Sequence, residues 1–402
     1  MTWLDLPDDT LFGLDNLPYG LFSTPTDSRR RVGVAVGDQV LDLAAALAAV
    51  GSTHAEVVDS GSLDGLLAAG RPAWDAVRAE LADLLTDPAR AESIRPLLLP
   101  RSGVHLHLPF TVGDYVDFYA SEHHATNLGR LFRPDSEPLM PNWKHLPVGY
   151  HGRGGTVVVS GTPVVRPCGQ RKAPDEAAPT YGPSRRLDIE AELGFVVGTG
   201  SLQGTRIGVD DLADHVFGAV IVNDWSARDL QAWEYVPLGP HLGKSFATSI
   251  SPWVVPLAAL EAARVPLPGQ DPEPLEYLRG REDWGLDVEL VVAWNGEEVS
   301  RPPYREMYWS PAQMLAHLTV NGASTRSGDL YASGTVSGPR REQRGAFIEL
   351  TWGGAEPVTV QGEQRTFLAD GDEVVISATA PGVGGGRIGF GEVAGTVVPA
   401  AP

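Results

Sequence analysis

Apolar residues in the first 45 positions fall in short runs that are separated by turn-forming residues. The segments LPYGLFS (17–23), RRVGVAVG (30–37) and DQVLDL (38–43) predict three strands. Gly37 and Asp38 predict a tight turn between the last two strands. These features predict a small β-roll at the start of the chain.

Alanine and leucine at helical spacing replace this pattern from residue 44 to about residue 99. The clearest example is PAWDAVRAELADLL (72–85), which has Pro72 near its start, where proline suits the first turn of a helix. We expect these helices to cover or flank the roll.

Strand-like runs return after HLHLPF (105–110) and continue to the end of the chain. They are TVVVSGTPVV (156–165), FGAVIVND (217–224), DVELVVAW (287–294), AFIELTW (346–352) and DEVVISATA (372–380). We place a domain boundary near Pro109, which gives domains over residues 1–109 and 110–402. Residues 168–183 and 266–283 are rich in proline and charge, which predicts loops.

Composition supports a mainly β fold, because 46 glycines and 33 prolines imply many turns and short strands. The net charge of −20 argues against nucleic acid or an anionic membrane as a partner. Cys168 is the only cysteine, so an intramolecular disulfide is excluded. The chain begins without a signal-like segment and contains no run of spanning length, so we expect a cytoplasmic protein.

Four carboxylates lie among aromatic, apolar or glycine residues instead of in charged surface runs. They occur in GDYVDFY (113–119), RLDIEAELGF (186–195) and IVNDWSARDLQAWEY (221–235), and they are Asp117, Glu190, Glu192 and Asp224. Acidic side chains in such surroundings need a cation, and the period of two in a strand places Glu190 and Glu192 on one face. An all-oxygen site suits Ca²⁺ or Mg²⁺. The alternative is that arginines such as Arg185, Arg186 and Arg228 pair with these acids.

Other polar residues in the same segments suggest acid–base and oxyanion chemistry. His124, in SEHHATN, is a candidate general base, and the alternative is an ordinary surface histidine beside His123. Arg228, Gln231 and Lys244 carry donors suited to a developing oxyanion. The alternative for Arg228 and Gln231, which are three residues apart, is the solvated face of a helix.

Several long segments resemble the fumarylacetoacetase family. They are GDYVDFYASEHHATNLG, PNWKHLPVGYHGR, LDIEAELGF, NDWSARDLQAWEYVPLGPHLGKSF and ASGTVSG, and the resemblance runs from about residue 16 almost to the C-terminus. It implies an N-terminal SH3-like β-barrel, a C-terminal β-sandwich roll with the active site, and a homodimer. The implied reaction is metal-dependent hydrolysis of a small diketo dicarboxylate, fumarylacetoacetate, to fumarate and acetoacetate, the last step of tyrosine and phenylalanine catabolism.

The resemblance also implies roles for individual residues. The ligands of an active-site Ca²⁺ are Asp117, Glu190, Glu192 and Asp224. The catalytic base is His124, the acid that orients it is Glu349, and the oxyanion donors are Arg228, Gln231 and Lys244. The residues that contact substrate are Tyr119, Arg133, Tyr150, Gln231, Tyr235 and Thr335. A nearby Mg²⁺ site comprises Asp224, Lys244 and Thr248.

Two departures from the family pattern and two competing functions remain. His123 stands before the base where the family has a different polar residue, and Ala247 stands where the family tends to have glycine. One competing function is an acylpyruvate or other oxo-acid hydrolase or hydratase of the same superfamily. The other is a non-catalytic protein that binds Ca²⁺ and dicarboxylates.

Overall fold

The regular structure is mainly β, as the glycine and proline content predicts. The computed structural model describes residues 2–401. Its first elements are β1 Tyr19–Thr24, β2 Asp27–Val36, β3 Gln39–Asp42, α1 Leu43–Ala49, α2 Ala55–Val58, α3 Asp64–Ala68, α4 Arg71–Thr86, α5 Ala91–Ile94, β4 Leu98–Pro100 and β5 His105–His107.

Most elements of the rest of the chain are strands. They are β6 Tyr115–Phe118, α6 Glu122–Phe132, β7 Gly149–His151, β8 Val157–Val159, β9 Val164–Val165, β10 Cys168–Arg171, β11 Thr180–Pro183, β12 Leu187–Asp188, β13 Ala191–Val197, α7 Leu212–His215, β14 Val216–Asp224, β15 Ser226–Ala227, α8 Arg228–Glu234, β16 Thr248–Ile250, β17 Trp253–Pro256, β18 Arg264–Pro266, β19 Trp284–Leu286, β20 Glu289–Trp294, β21 Glu297–Ser300, α9 Pro311–Thr319, β22 Leu330–Ala332, α10 Phe347–Leu350, β23 Val358–Val360, β24 Glu363–Arg365, β25 Glu373–Pro381 and β26 Arg387–Val398.

The N-terminal strands and helices confirm the pattern read from the sequence. Strands β1, β2 and β3 form an antiparallel ladder, and Gly37 makes the turn between β2 and β3 with a φ of 59°, which favours glycine. Pro72 lies in the first turn of α4. The helices bury leucine and valine side chains, among them Leu66, Val77 and Leu81.

One large mixed sheet joins the two parts of the chain. Its strands run in the order β4-β3-β2-β1-β17-β14-β13-β22-β6-β7, so β1 pairs with β17 through Tyr19 and Val254. Most pairs are antiparallel, whereas β22 pairs with β6 in parallel. A second sheet has the order β21-β20-β25-β26-β9. Among residues 2–401 we find no closed barrel.

Two segments differ from the prediction. AFIELTW (346–352) is not a strand: it forms the short helix α10, whose first N–H groups, from Phe347 and Ile348, donate to the side chain of Asp188. A capped turn therefore satisfies the backbone groups that a strand would have paired with a neighbour. Residues 168–183, predicted as a loop, contain the hairpin of β10 and β11.

No helix within residues 2–401 is both long and apolar enough to cross a membrane.

Candidate active site

Neighbouring strands of the large sheet bring the four acidic side chains together. Asp117 lies on β6, Asp224 ends β14, and Glu190 and Glu192 flank Ala191, the first residue of β13. One oxygen from each carboxylate lies within 4.8 Å of the others, and all four residues are buried. The predicted convergence of Glu190 and Glu192 is therefore confirmed.

Two basic side chains pair with one side of this carboxylate cluster. Lys244 Nζ lies 2.5 Å from Glu190 Oε2 and 2.6 Å from Asp224 Oδ2, and Arg228 Nη1 lies 2.7 Å from Glu190 Oε1. In contrast, Asp117 Oδ1 and Glu192 Oε1 are buried and have no hydrogen-bond partner within residues 2–401. The ion-pair alternative therefore accounts for only part of the cluster. Across the same residues, Arg185 and Arg186 form no ion pair with it.

The pKa values of the carboxylates divide in the same way. Burial, followed by repulsion from neighbouring carboxylates, raises the pKa of Asp117 and of Glu192 well above their usual values. Burial would also raise the pKa of Glu190, but the charges of Lys244 and Arg228 lower it below its usual value. Two buried acids therefore lack a cation, and their unpartnered oxygens fit a hard divalent ion.

His124 and Glu349 form a buried pair beside the cluster. Ser121 caps helix α6 by accepting a hydrogen bond from the backbone N–H of His124, which fixes the start of the helix. His124 Nδ1 lies 2.6 Å from Glu349 Oε2, and its Nε2 lies 3.8 Å from Glu190 Oε1. Because His124 is only 2% exposed, the surface-histidine alternative is wrong. The neighbouring His123 faces Glu306 instead, at 3.8 Å.

Two further residues that the sequence did not identify hold Glu349 in place. The amide of Asn127 donates to Glu349 Oε1 and the hydroxyl of Ser337 donates to Oε2, each at 2.9 Å. Burial would raise the pKa of Glu349, but the charge of His124 and these hydrogen bonds lower it below its usual value. Both residues lie in segments that carry the family resemblance, ATN and ASGTVSG, and this was the only available signal.

Helix α8 places Arg228 against the cluster, and Gln231 lies next to Arg228 on the same face. Arg228 is 1% exposed, so the solvated-face alternative is wrong for it. Its Nη1 donates to Gln231 Oε1 at 3.1 Å, and its Nε donates to Asp188 Oδ2 at 2.8 Å. Its Nη2 is buried without a partner in the described part of the chain. Its capacity to donate is therefore unused within residues 2–401.

A cavity of about 460 Å³ opens above these groups. All six residues that the resemblance assigned to substrate contact line it: Tyr119, Arg133, Tyr150, Gln231, Tyr235 and Thr335. His124, Arg228 and Lys244 line it too, and the Thr335 hydroxyl is buried without a partner within residues 2–401. Its apolar wall was not predicted from the sequence and includes Leu128, Phe132, Leu139, Met140 and Trp143.

Thr248 lies outside this cavity, although it contacts the cluster. Its hydroxyl donates to Asp224 Oδ1 at 3.2 Å, and the two residues are paired across β16 and β14. Asp224, Lys244 and Thr248 line a second cavity of about 390 Å³, which shares Tyr150 and Lys244 with the first. Ala247 is buried next to Thr248, which has the backbone pairing of a regular strand.

Comparison with known proteins gives consistent matches over the whole chain. A family model described as fumarylacetoacetase N-terminal matches residues 15–109, and one described as fumarylacetoacetate (FAA) hydrolase C-terminal matches residues 115–398. Fumarylacetoacetases of Rattus norvegicus and Homo sapiens are each 47% identical over 416 residues, covering 100% of this chain and 99% of theirs. That of Caenorhabditis elegans is 46% identical and covers 99% of both chains.

Solved structures with a similar fold have much lower sequence identity. A fumarylacetoacetate hydrolase from Exiguobacterium antarcticum matches with a TM-score of 0.57 at 17% identity, covering 95% of this chain and 99% of its own. A maleylpyruvate hydrolase from Sphingobium matches with a TM-score of 0.53 at 16% identity, covering 95% of this chain and all of its own. At these identities the structures support the fold alone.

Proposed function

The chain belongs to the fumarylacetoacetase family and is an enzyme that hydrolyses fumarylacetoacetate; we propose the route by which its residues cleave the carbon–carbon bond. The products are fumarate and acetoacetate. The observation that carries the route is the buried His124–Glu349 pair, which lies beside the carboxylate cluster and next to the cavity. A protein that only binds dicarboxylates would have no use for this pair.

His124 acts as the general base that generates the nucleophile. Glu349 accepts a hydrogen bond from Nδ1–H of His124, which leaves Nε2 unprotonated and able to take a proton from water. The resulting hydroxide attacks the carbonyl carbon of the fumaryl group, which forms a carbon–oxygen bond and a tetrahedral oxyanion. No serine or cysteine nucleophile is required.

Donors around the cavity stabilise this oxyanion. Arg228 has a free Nη2 and lines the cavity together with Gln231 and Lys244. Donors of this kind each lower a barrier by about 3 to 4 kcal/mol. When the oxyanion collapses, the carbon–carbon bond breaks, its electron pair passes to acetoacetate as an enolate, and the proton held by His124 returns to carbon.

The carboxylate cluster would hold the metal. Asp117, Glu190, Glu192 and Asp224 offer oxygen ligands for Ca²⁺, and the unpartnered oxygens of Asp117 and Glu192 support this assignment. For the nearby Mg²⁺ site, Asp224 and Thr248 would supply oxygen ligands, and the charged Lys244 side chain would lie beside them as the ion-pair partner of Asp224. When bound, the active-site cation would supply Lewis-acid catalysis by stabilising negative charge that develops on the substrate.

Arg133 and the tyrosines orient the acidic substrate. A protein with a net charge of −20 repels a dicarboxylate, so binding requires a local group of donors. Arg133 Nη2 donates to the Pro138 carbonyl at 3.0 Å, which holds the side chain in the cavity wall. Tyr119, Tyr150, Tyr235 and Thr335 supply the remaining contacts.

We propose the domain organisation from the same family assignment. Residues 1–109 would form an SH3-like domain whose barrel is open, and residues 110–402 a catalytic β-sandwich roll. Support comes from the two family models, which meet between residues 109 and 115, and from the antiparallel ladder of β1 to β5. The protein is a cytoplasmic homodimer.

The proposed function can be tested by following the diketone ultraviolet absorbance of fumarylacetoacetate. Purified protein should consume it, a chelator should abolish turnover, and Ca²⁺ or Mg²⁺ should restore it. An acylpyruvate assayed in parallel tests the alternative within the superfamily. Turnover of the acylpyruvate alone, or turnover that survives complete chelation, would overturn the assignment of substrate or of metal, respectively.

A further inference from the structure

Asp188 is a fully buried carboxylate that the proposed chemistry does not use. It ends β12, and its two oxygens accept four hydrogen bonds. Oδ2 accepts from Arg228 Nε at 2.8 Å and from the N–H of Ile348 at 3.0 Å. Oδ1 accepts from the N–H groups of Phe347 at 2.7 Å and of Ile189 at 2.8 Å. One carboxylate thus connects helix α8 with helix α10.

The contact with Arg228 fixes the orientation of its guanidinium group. Asp188 holds Nε while Glu190 and Gln231 accept from Nη1. Because the guanidinium is planar, two held nitrogens determine where the third one points. Nη2, the donor without a partner, is therefore directed by Asp188.

The contacts with α10 fix the position of Glu349. This helix has no capping side chain of its own, because its N-cap residue is Ala346. Asp188, which lies on β12, caps the helix instead. It accepts hydrogen bonds from the first two N–H groups of α10, those of Phe347 and Ile348. The next residue is Glu349, whose Oε2 lies 2.6 Å from His124 Nδ1.

We infer that Asp188 is a positioning residue that aligns the oxyanion donor Arg228 with the His124–Glu349 pair. Asp188 lines neither cavity and lies outside the carboxylate cluster, so it acts through these residues. The inference rests on the proposed function, because both of its targets are assigned there. Loss of Asp188 should therefore lower kcat and leave KM nearly unchanged.

The substitution Asp188→Asn tests this with little change in volume. An amide has one oxygen, so whichever way it turns, its NH₂ group faces two of the four donors. We expect kcat to fall about 10- to 100-fold, with KM close to that of the wild type. Turnover is expressed per folded protein, with the folded fraction measured by circular dichroism at the assay temperature.

Asp42 offers a matched control far from the cavity. It is also buried, pairs with Arg31 Nη1 at 2.9 Å, and caps α1 by accepting from Ala45 N. Asp42→Asn should lower the melting temperature while kcat per folded protein stays unchanged. An equal fall of kcat in both variants would show that Asp188 is merely structural and would overturn the inference.

A double-mutant cycle with Arg228→Gln separates positioning from general damage. If Asp188 acts largely through Arg228, adding Asp188→Asn to Arg228→Gln should reduce kcat much less than it does in the wild type. Equal fold-losses in both backgrounds would overturn the inference.

The two levels of proposal fail differently. A wild-type protein that does not consume fumarylacetoacetate would overturn the proposed function together with this inference. Normal wild-type turnover that Asp188→Asn fully retains would overturn the role of Asp188 alone.

Discussion

The helical core of the N-terminal region and the carboxylate cluster are both buried, but they are held together in different ways. In the former, Leu66, Val77 and Leu81 pack among apolar side chains, and their burial favours folding. In the latter, Glu192 and Asp224 are equally inaccessible but carry like charges, and burial raises the pKa of both. Burial therefore stabilises the first region and costs free energy in the second.

The difference indicates that the carboxylate cluster lowers the stability of the fold and is retained for its role in chemistry. Buried carboxylates without a cation disfavour the folded state, so a metal ion that binds them should contribute both stability and activity. The N-terminal core makes no such contribution to chemistry. Substitutions in the cluster should therefore lower activity more than stability. Substitutions in the N-terminal core should lower stability and leave activity unchanged.

The largest expected effect is a loss of turnover when His124, which lies beside the carboxylate cluster, is replaced. His124→Ala removes the proposed base and should lower kcat at least about 1,000-fold. Its folding should survive, because Asn127 and Ser337 still donate to Glu349. The neighbouring substitution His123→Ala is the control and should keep most of the activity. Comparable losses in both variants would argue against His124 as the base.

Glu192→Gln should lower turnover about 100-fold and yet stabilise the chelated protein. The variant removes a negative charge that burial and Asp117 disfavour, and its side chain can still accept from the N–H of Gly334. Thermal melting with chelator and with added Ca²⁺ measures both effects. In the wild type, Ca²⁺ at a hundredfold excess over its Kd should add about 2.7 kcal/mol of stability. Destabilisation of the chelated variant would contradict the account of the cluster.

The same cluster predicts the sign of a pH effect. Because the folded pKa of Glu192 is raised, the chelated protein should lose stability as pH rises above about 4.3, the ordinary value for glutamic acid. The decline should be shallower in Glu192→Gln and when Ca²⁺ is bound. Denaturant titrations at several pH values would measure it, and an identical decline in all samples would contradict it.

In the N-terminal core, Leu81→Ala should have the reverse profile. Deleting this fully buried side chain of α4 leaves a cavity and should cost about 2 to 5 kcal/mol in free energy of unfolding. Urea denaturation measures the loss, while kcat per folded protein should equal that of the wild type. A loss of kcat would show that the two regions are coupled.

The smallest effect is expected for the buried ion pair of the N-terminal region. Asp42→Asn weakens the contact with Arg31 but keeps a side chain that can cap α1, so stability should fall by about 1 kcal/mol. Turnover should not change. A gain in stability, like the one expected for chelated Glu192→Gln, would contradict this account. It would mean that Asp42, which pairs with an arginine, and Glu192, which has no cation, respond to neutralisation in the same way.

Local patterns predicted much of this structure, and distant contacts account for the errors. The first three strands, helix α4 and the shared face of Glu190 and Glu192 depend on neighbouring residues, so spacing was sufficient. AFIELTW has the composition of a strand, but a tertiary contact from Asp188 starts a helix there. The periodicity of a short segment cannot predict that a residue 159 positions away will cap a helix in it.

The site shows the same limit. His124 and Glu349 are 225 positions apart, so only the family resemblance related them before the structure placed them in contact. The resemblance named the residues that do the chemistry and Glu349, which orients the base. It did not name the residues that hold Glu349 and Arg228 in place, which is why Asn127, Asp188 and Ser337 were missed. Their roles follow from hydrogen bonds that no spacing in the sequence encodes.

The pairing of β1 with β17 has a consequence for the sheet as a whole. Residues 253–256 of β17 contact β14 on one side and β1 on the other, through Trp253 and Val254. Without the N-terminal region, the outer side of β17 would expose unpaired N–H and C=O groups next to a buried tryptophan. Such an edge is a template for pairing between molecules. The N-terminal region thus covers an edge of the sheet that would otherwise be open to pairing with another molecule.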